Sequence, residues 1–138
     1  MIKKAWMTAG LSAAVFSAGL FVGHESSVAA QTKRVFEIRT YTADEGQLNT
    51  LVKRMRDGEA KIFDKVGMKG ILFSVAAEAP KSSNTFVYIL AHESLDSAKQ
   101  SWAKFREDPD WMRLRTSLPV QVKVESIFVN PLDFSQLK

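Results

Sequence analysis

The 138-residue chain has no cysteine and only two histidines, His24 and His92. The first absence rules out disulfides, thiolate nucleophiles, iron–sulfur clusters and a lipoprotein attachment site. Too few histidines remain for a zinc or copper cage within one chain. No glycine-rich phosphate loop is present either. The closest pattern, "GMKG" at Gly67 to Gly70, has the wrong spacing for one. Long runs of one charge are also missing. The 19 basic and 15 acidic residues are interleaved, as in "KRMRDGEAK" and "RED", so the net charge of +4 describes solvated faces and no nucleic-acid footprint. Ser126 and Ser135 have no visible triad partner. With 46% hydrophobic and 25% charged residues, what is left is globular composition at single-domain length.

The N-terminus stands apart. Lys3 and Lys4 precede an uncharged, Ala- and Gly-rich stretch from Ala5 to Gly23, and Val28 and Ala30 occupy the −3 and −1 positions of a cleavage site before Gln31. This pattern predicts a secretory signal over residues 1–30 and a periplasmic or secreted mature protein. The alternative is an uncleaved anchor through residues 5–23, since that stretch approaches the roughly 20 residues needed to span a bilayer. Removing residues 1–30 leaves 17 basic and 14 acidic residues, a net of +3, and a single histidine, His92.

The mature part, residues 31–138, alternates between strand and helix signals. "VFEIRTYT" (Val35 to Thr42) alternates along a β-branched and aromatic run and predicts a first strand. Thr42-Ala43-Asp44-Glu45 fits a capping box, and Leu48, Leu51, Val52, Met55, Ile62, Phe63 and Val66 mark one apolar stripe of a helix stopped at Gly67. Lys69 to Glu78 predicts a second strand and Ala79 to Asn84 a turn. A third strand follows over Thr85 to Ser94, and a second helix is capped by Ser94. In "FREDPDWMRLR" the spacing predicts a helix restart, with Asp108 as cap and Pro109 at the first helical position. Val120 to Val129 predicts a fourth strand, followed by the tail "NPLDFSQLK".

The order βαββαβ predicts an α+β ferredoxin-like fold, an antiparallel four-stranded sheet with its helices on one face. Apolar residues on both parities of the third strand, Val87, Ile89 and Ala91 against Phe86, Tyr88 and Leu90, leave a second face to bury. A homodimer packing sheet to sheet is the expected solution.

"EIRTYT", "GM", "YILAHES", "WAKFREDPDW" and "ESIFVNPLDFSQL", in that order, resemble the NIPSNAP family over about Val35 to Leu137. The resemblance implies a dimeric α/β-barrel. That superfamily also holds cofactor-free monooxygenases, lactone isomerases, haem-dependent enzymes and stress proteins, so fold does not assign function. Eukaryotic members are mostly discussed as mitochondrial interaction and signalling proteins, with no agreed reaction. This chain departs in its export signal, which argues against a mitochondrial role, and in lacking proline after the serine of "DFSQL".

The candidate ligand-binding residues are Glu37, Arg39, Tyr41, Tyr88 and His92, of which Arg39 and Tyr41 belong to the "RTY" of the resemblance. If Phe36 and Ile38 face the helices, Glu37, Arg39 and Tyr41 face the dimer side. Together the five could hold and polarise a small carbonyl or carboxylate compound, with His92 as base. Otherwise Glu37 and Arg39 are cross-strand pairs, the tyrosines interface anchors, and His92 an exposed strand end. Trp102, Phe105 and Trp111 read as core. No cofactor is expected, although one axial histidine per chain would suffice for haem. Two functions stay open: a dimeric module binding a small molecule or a protein, and a cofactor-independent monooxygenase or isomerase.

Overall fold

The computed structural model describes residues 34–138. The expected signal or anchor over residues 1–30 lies outside the described residues. Elements run β1 (Val35–Ala43), α1 (Leu48–Arg54), a π-helical turn (Met55–Glu59), α2 (Ala60–Lys65), β2 (Lys69–Val75), β3 (Thr85–His92), α3 (Leu95–Glu107), α4 (Pro109–Ser117) and β4 (Val122–Val129). The strands form one antiparallel sheet in the order β2-β3-β1-β4. This is the ferredoxin-like α+β arrangement expected from the element order.

The helices cover one face. Tyr41, Ala43, Phe86, Tyr88 and Leu90 from the sheet close a core with Leu51, Met55, Ile62, Phe63, Met68 and Phe105. Phe63 and Tyr88 are fully buried and stack at 5.7 Å, and full burial of an aromatic or aliphatic side chain is worth about 1.5 to 3 kcal/mol. Register fixes which residues share that face. Glu37, Arg39 and Tyr41 oppose Leu90, Tyr88 and Phe86 across β1 and β3. The expected assignment of β1 is therefore reversed: Glu37, Arg39 and Tyr41 lie beneath the helices, and Phe36, Ile38 and Thr40 occupy the outer face. A strand of period two has only these two choices, and the aromatic side of β3 selected the polar parity of β1 for the core.

Two helix starts differ in their chemistry. Thr42 and Glu45 do not form the expected capping box. Thr42 and Ala43 remain paired in the sheet, Gly46 turns the chain at φ 75°, and α1 begins without a side-chain cap. Ladder hydrogen bonds on both sides of β1 outcompete the local cap. The first helical stretch is also interrupted, its middle turn being π-helical. There Leu114 comes within 2.8 Å of where a Cβ on Gly58 would stand, so the bare glycine admits α4 against the turn. Gly67 ends the stretch at φ 88°, in the left-handed region.

The Asp-Pro-Asp restart forms as expected. The Asp108 carboxylate accepts from the backbone N–H of Asp110 at 2.8 Å and of Trp111 at 3.3 Å, and Pro109 opens α4. Lys65 reaches back from α2 to Asp108 at 2.7 Å, which with the cap bonds holds the Asp108 carboxyl below its ordinary range. Loss of a helix cap costs about 1 kcal/mol, and the ion pair to the exposed Lys65 adds little to that. Asp108→Ala should therefore lower the urea midpoint at neutral pH, and Asp108→Asn should recover most of the loss.

Candidate functional site

All five candidate side chains join one hydrogen-bonded network between sheet and helices. Its centre is Glu37, a carboxylate only 1% exposed in the middle of the sheet. Arg39 Nη1 and Ser126 Oγ donate to Oε1 at 2.6 and 2.7 Å. Trp102 Nε1 donates to Oε2 at 2.7 Å, and His92 Nε2 lies 3.1 Å from the same oxygen. An ionised carboxylate only accepts, so His92 Nε2 carries the hydrogen. Farther along β1, Tyr88 donates to the Tyr41 hydroxyl at 2.8 Å, and Arg39 Nη2 approaches that hydroxyl at 3.5 Å.

Burial alone would raise the Glu37 pKa. Hydrogen bonds from His92, Ser126, Trp102 and Arg39 outweigh it and hold the group at about 2. Burial likewise opposes charge on Arg39, but Tyr88, Tyr41 and Glu37 keep its pKa above the ordinary arginine value. The Tyr88 phenol is pushed up, first by burial. The network thus contains a fixed anion, a fixed cation and a neutral phenol at neutral pH.

Arg39 is the network's fixed cation, and its side chain is 15% exposed. Its guanidinium lies 4.2 Å from the centre of the Trp102 ring, and Nε is buried without a partner. Together with Glu37, Lys99, Trp102, Arg106, Ser126 and Phe128 it lines a cleft of about 390 Å³ between α3 and the β1–β4 side of the sheet. His92 lines neither this cleft nor the neighbouring one and is 2% exposed, which corrects its alternative reading as an exposed strand end.

A second cavity of about 400 Å³ lies on the other side of Tyr41, lined by Arg54, Glu59, Phe105, Trp111 and residues of β4 and the segment before it. Its ionic pair is buried: Arg54 Nε donates to Glu59 Oε2 at 3.0 Å. At 3.6 residues per turn an α-helix would set residues five apart roughly 140° apart around its axis. The wider π turn brings this pair together.

Sequence reasoning missed four of these participants. Trp102 reads as core, and its indole N–H is invisible to a hydrophobic pattern. Ser126 reads as partnerless, although it shares parity with Val124 and Phe128 on the helix-facing side of β4. Glu59 sits between Met55 and Ile62 in an otherwise apolar stripe, which was a usable signal; Arg54 carried none.

These features define a ferredoxin-like domain whose core contains a polar layer flanked by two open cavities. The chain belongs to the NIPSNAP family, whose family model matches residues 36–136. It is similar to a NIPSNAP family protein of unknown function from Agrobacterium tumefaciens strain C58, at 24% identity and a TM-score of 0.68, covering 78% of this chain and 96% of that one. A NIPSNAP-like domain protein from Burkholderia xenovorans is 18% identical with a TM-score of 0.66, covering 75% and 90%. More distant is a mutant form of SnoaB, a cofactor-independent oxygenase from Streptomyces nogalater, at 16% identity and a TM-score of 0.51, covering 77% and 99%. That likeness is one of fold. No curated protein matches the chain.

The Glu37 geometry sets the acid stability. Its folded pKa lies below the ordinary 4.5, so its contribution is complete above pH 4.5 and is lost as pH falls from 4.5 toward about 2. The shift corresponds to about 3 kcal/mol. Urea midpoints measured from pH 6 down to pH 2 should fall more steeply for the native chain than for Glu37→Gln, whose curve should be lower at neutral pH and flatter across this window.

Proposed function

We propose that this NIPSNAP domain is an exported, homodimeric binding protein for a small organic anion, with the Arg39 cleft as its site. The observation that supports this most strongly is the state of Arg39. Glu37 and Trp102 hold its guanidinium in place before any ligand arrives, while hydrogen-bonding capacity remains unused. A preorganised guanidinium suits a carboxylate, because little side-chain freedom is lost on binding. Lys99 and Arg106 add positive charge at the rim, and Trp102 and Phe128 supply flat apolar walls. An aromatic carboxylate matches both properties.

A cofactor-independent oxygenase or isomerase is the second reading. One feature favours it: His92 Nδ1 is buried without a partner while Nε2 is committed to Glu37. Against it, Glu37 is saturated by its four neighbours, and His92 reaches neither cavity within one chain. Binding is therefore the reading we favour.

Isothermal titration with benzoate tests the site. Arg39→Met should weaken binding at least about tenfold, the equivalent of 1.4 kcal/mol, and Lys99→Ala should weaken it by a smaller, salt-dependent amount. Unchanged benzoate affinity in a folded Arg39→Met protein would remove the cleft from consideration.

Support for the dimer comes from the outer sheet face. Ile38, Val87 and Ile89 form its middle, and Leu72 and Ile127 beside them are 45% and 59% exposed. A second copy apposing the same face would cover this patch by twofold symmetry. Analytical ultracentrifugation at micromolar concentration should show a dimer that Ile89→Lys converts to monomer; a monomeric native chain would contradict this part of the reading.

A further inference from the structure

The second cavity differs from the Arg39 cleft in charge. Its buried ionic groups among the described residues are Arg54 and Glu59, which neutralise each other, and the one further charge in its lining is the exposed Arg115 at the rim. Arg54 holds Glu59 Oε2, and no donor among the described residues reaches Oε1. The carboxylate is 1% exposed and lines the cavity, so its remaining acceptor capacity lies within reach of a molecule held there. Tyr41, Phe105 and Trp111 supply aromatic wall and Val120, Val122 and Val124 branched aliphatic wall, with Thr116 and Gln121 as polar members of the lining. Phe105 and Trp111 lie 4.7 Å apart, and Arg54 sits 5.1 Å from the Trp111 ring centre, so aromatic surface and ion pair are contiguous.

We propose that this cavity is a second ligand site, for a compact uncharged aromatic alcohol, a phenol above all, whose hydroxyl donates to Glu59. Three properties select that chemistry. The aromatic and branched aliphatic walls suit a flat ring of one or two cycles in a cavity of about 400 Å³. A carboxylate or phosphate beside Glu59 would be a second buried anion with a large desolvation and repulsion cost, which the solvent-screened charge of the exposed Arg115 at the rim offsets only weakly. Glu59 favours a neutral donor instead, since a hydrogen bond to a charged acceptor is about twice as strong as a neutral one. Burial raises the Glu59 pKa on balance, Arg54 and Arg39 reduce that rise, and the 3.0 Å contact with the Arg54 guanidinium is what favours the charged acceptor. Placement on a π-helical turn gives the geometry a structural cause, since only that turn sets Glu59 beside Arg54.

The site is independent of the anion cleft, and its test separates the two. Calorimetric titration of the purified chain with 2-naphthol should show one site per chain. Glu59→Gln should weaken it at least about tenfold. Val124→Trp, on the open strand β4, should abolish it by filling the cavity without touching the Arg54–Glu59 pair. Lys99→Ala should leave 2-naphthol affinity within about twofold, and saturating benzoate should not displace it. Should Glu59→Gln fail to fold, Val124→Trp decides. An absence of 2-naphthol binding at about 1 mM, or binding that survives Val124→Trp unchanged, overturns the proposal and leaves the anion cleft standing. Loss of benzoate binding alone would overturn the anion reading and leave this one standing.

Discussion

The Glu37 carboxylate is the interaction on which the rest of the site depends. Its four neighbours come from four different elements: Arg39 from β1 itself, His92 from β3, Trp102 from α3 and Ser126 from β4. A buried carboxylate left unpaired is among the costliest groups a core can hold. This one is tolerated because every partner is in place, and removing any one of them exposes part of that cost. The same bonds tie three strands to the helix layer. They also hold the guanidinium of Arg39 against Trp102, so the charge presented to the cleft follows from the way the core is satisfied.

A single polar layer thereby produces two environments. On the Glu37 side of Tyr41 the open space meets a fixed cation and a basic rim. On the Glu59 side it meets a buried ion pair and aromatic walls, with one exposed arginine, Arg115, at the rim. The tyrosine hydroxyl between them accepts from Tyr88 and lies near Arg39, which separates the two without a break in hydrogen bonding. Neither environment depends on an unusual residue. Each depends on a register: the sheet pairing that turned Glu37 and Arg39 inward, and the π turn that brought Glu59 under Arg54.

Much of this was legible in the sequence, and the parts that were not share a cause. The strand and helix order, the Asp108 restart and the Gly67 stop follow from local chemistry, since cap, proline and glycine each act within a few residues. The grouping of Glu37, Arg39, Tyr41, Tyr88 and His92 came from strand parity, and the structure does bring the five together. Their face was assigned wrongly because alternation in β1 separates two sides without saying which is inside. Polar Glu37 and Arg39 suggest an interface side, and only long-range partners such as Trp102 and Ser126 make the inward choice favourable. The Thr42 capping box failed for a related reason, as sheet pairing on both sides of β1 exceeded the local signal. The π turn left no periodic trace beyond a charged Glu59 within an apolar stripe.

The central claim, that Glu37 is a buried and ionised hub, is tested most directly by its own titration. Carbon-13 NMR of the side-chain carboxyl, assigned with Glu37→Gln and followed from pH 7 toward the acid limit of folding, reads that ionisation residue by residue. The account predicts a carboxylate signal that persists below the ordinary glutamate range, with a midpoint near 2 or loss of the fold before protonation. A midpoint at or above 4.5 in the folded protein would contradict it, because burial would then outweigh the bonds that are held here to dominate.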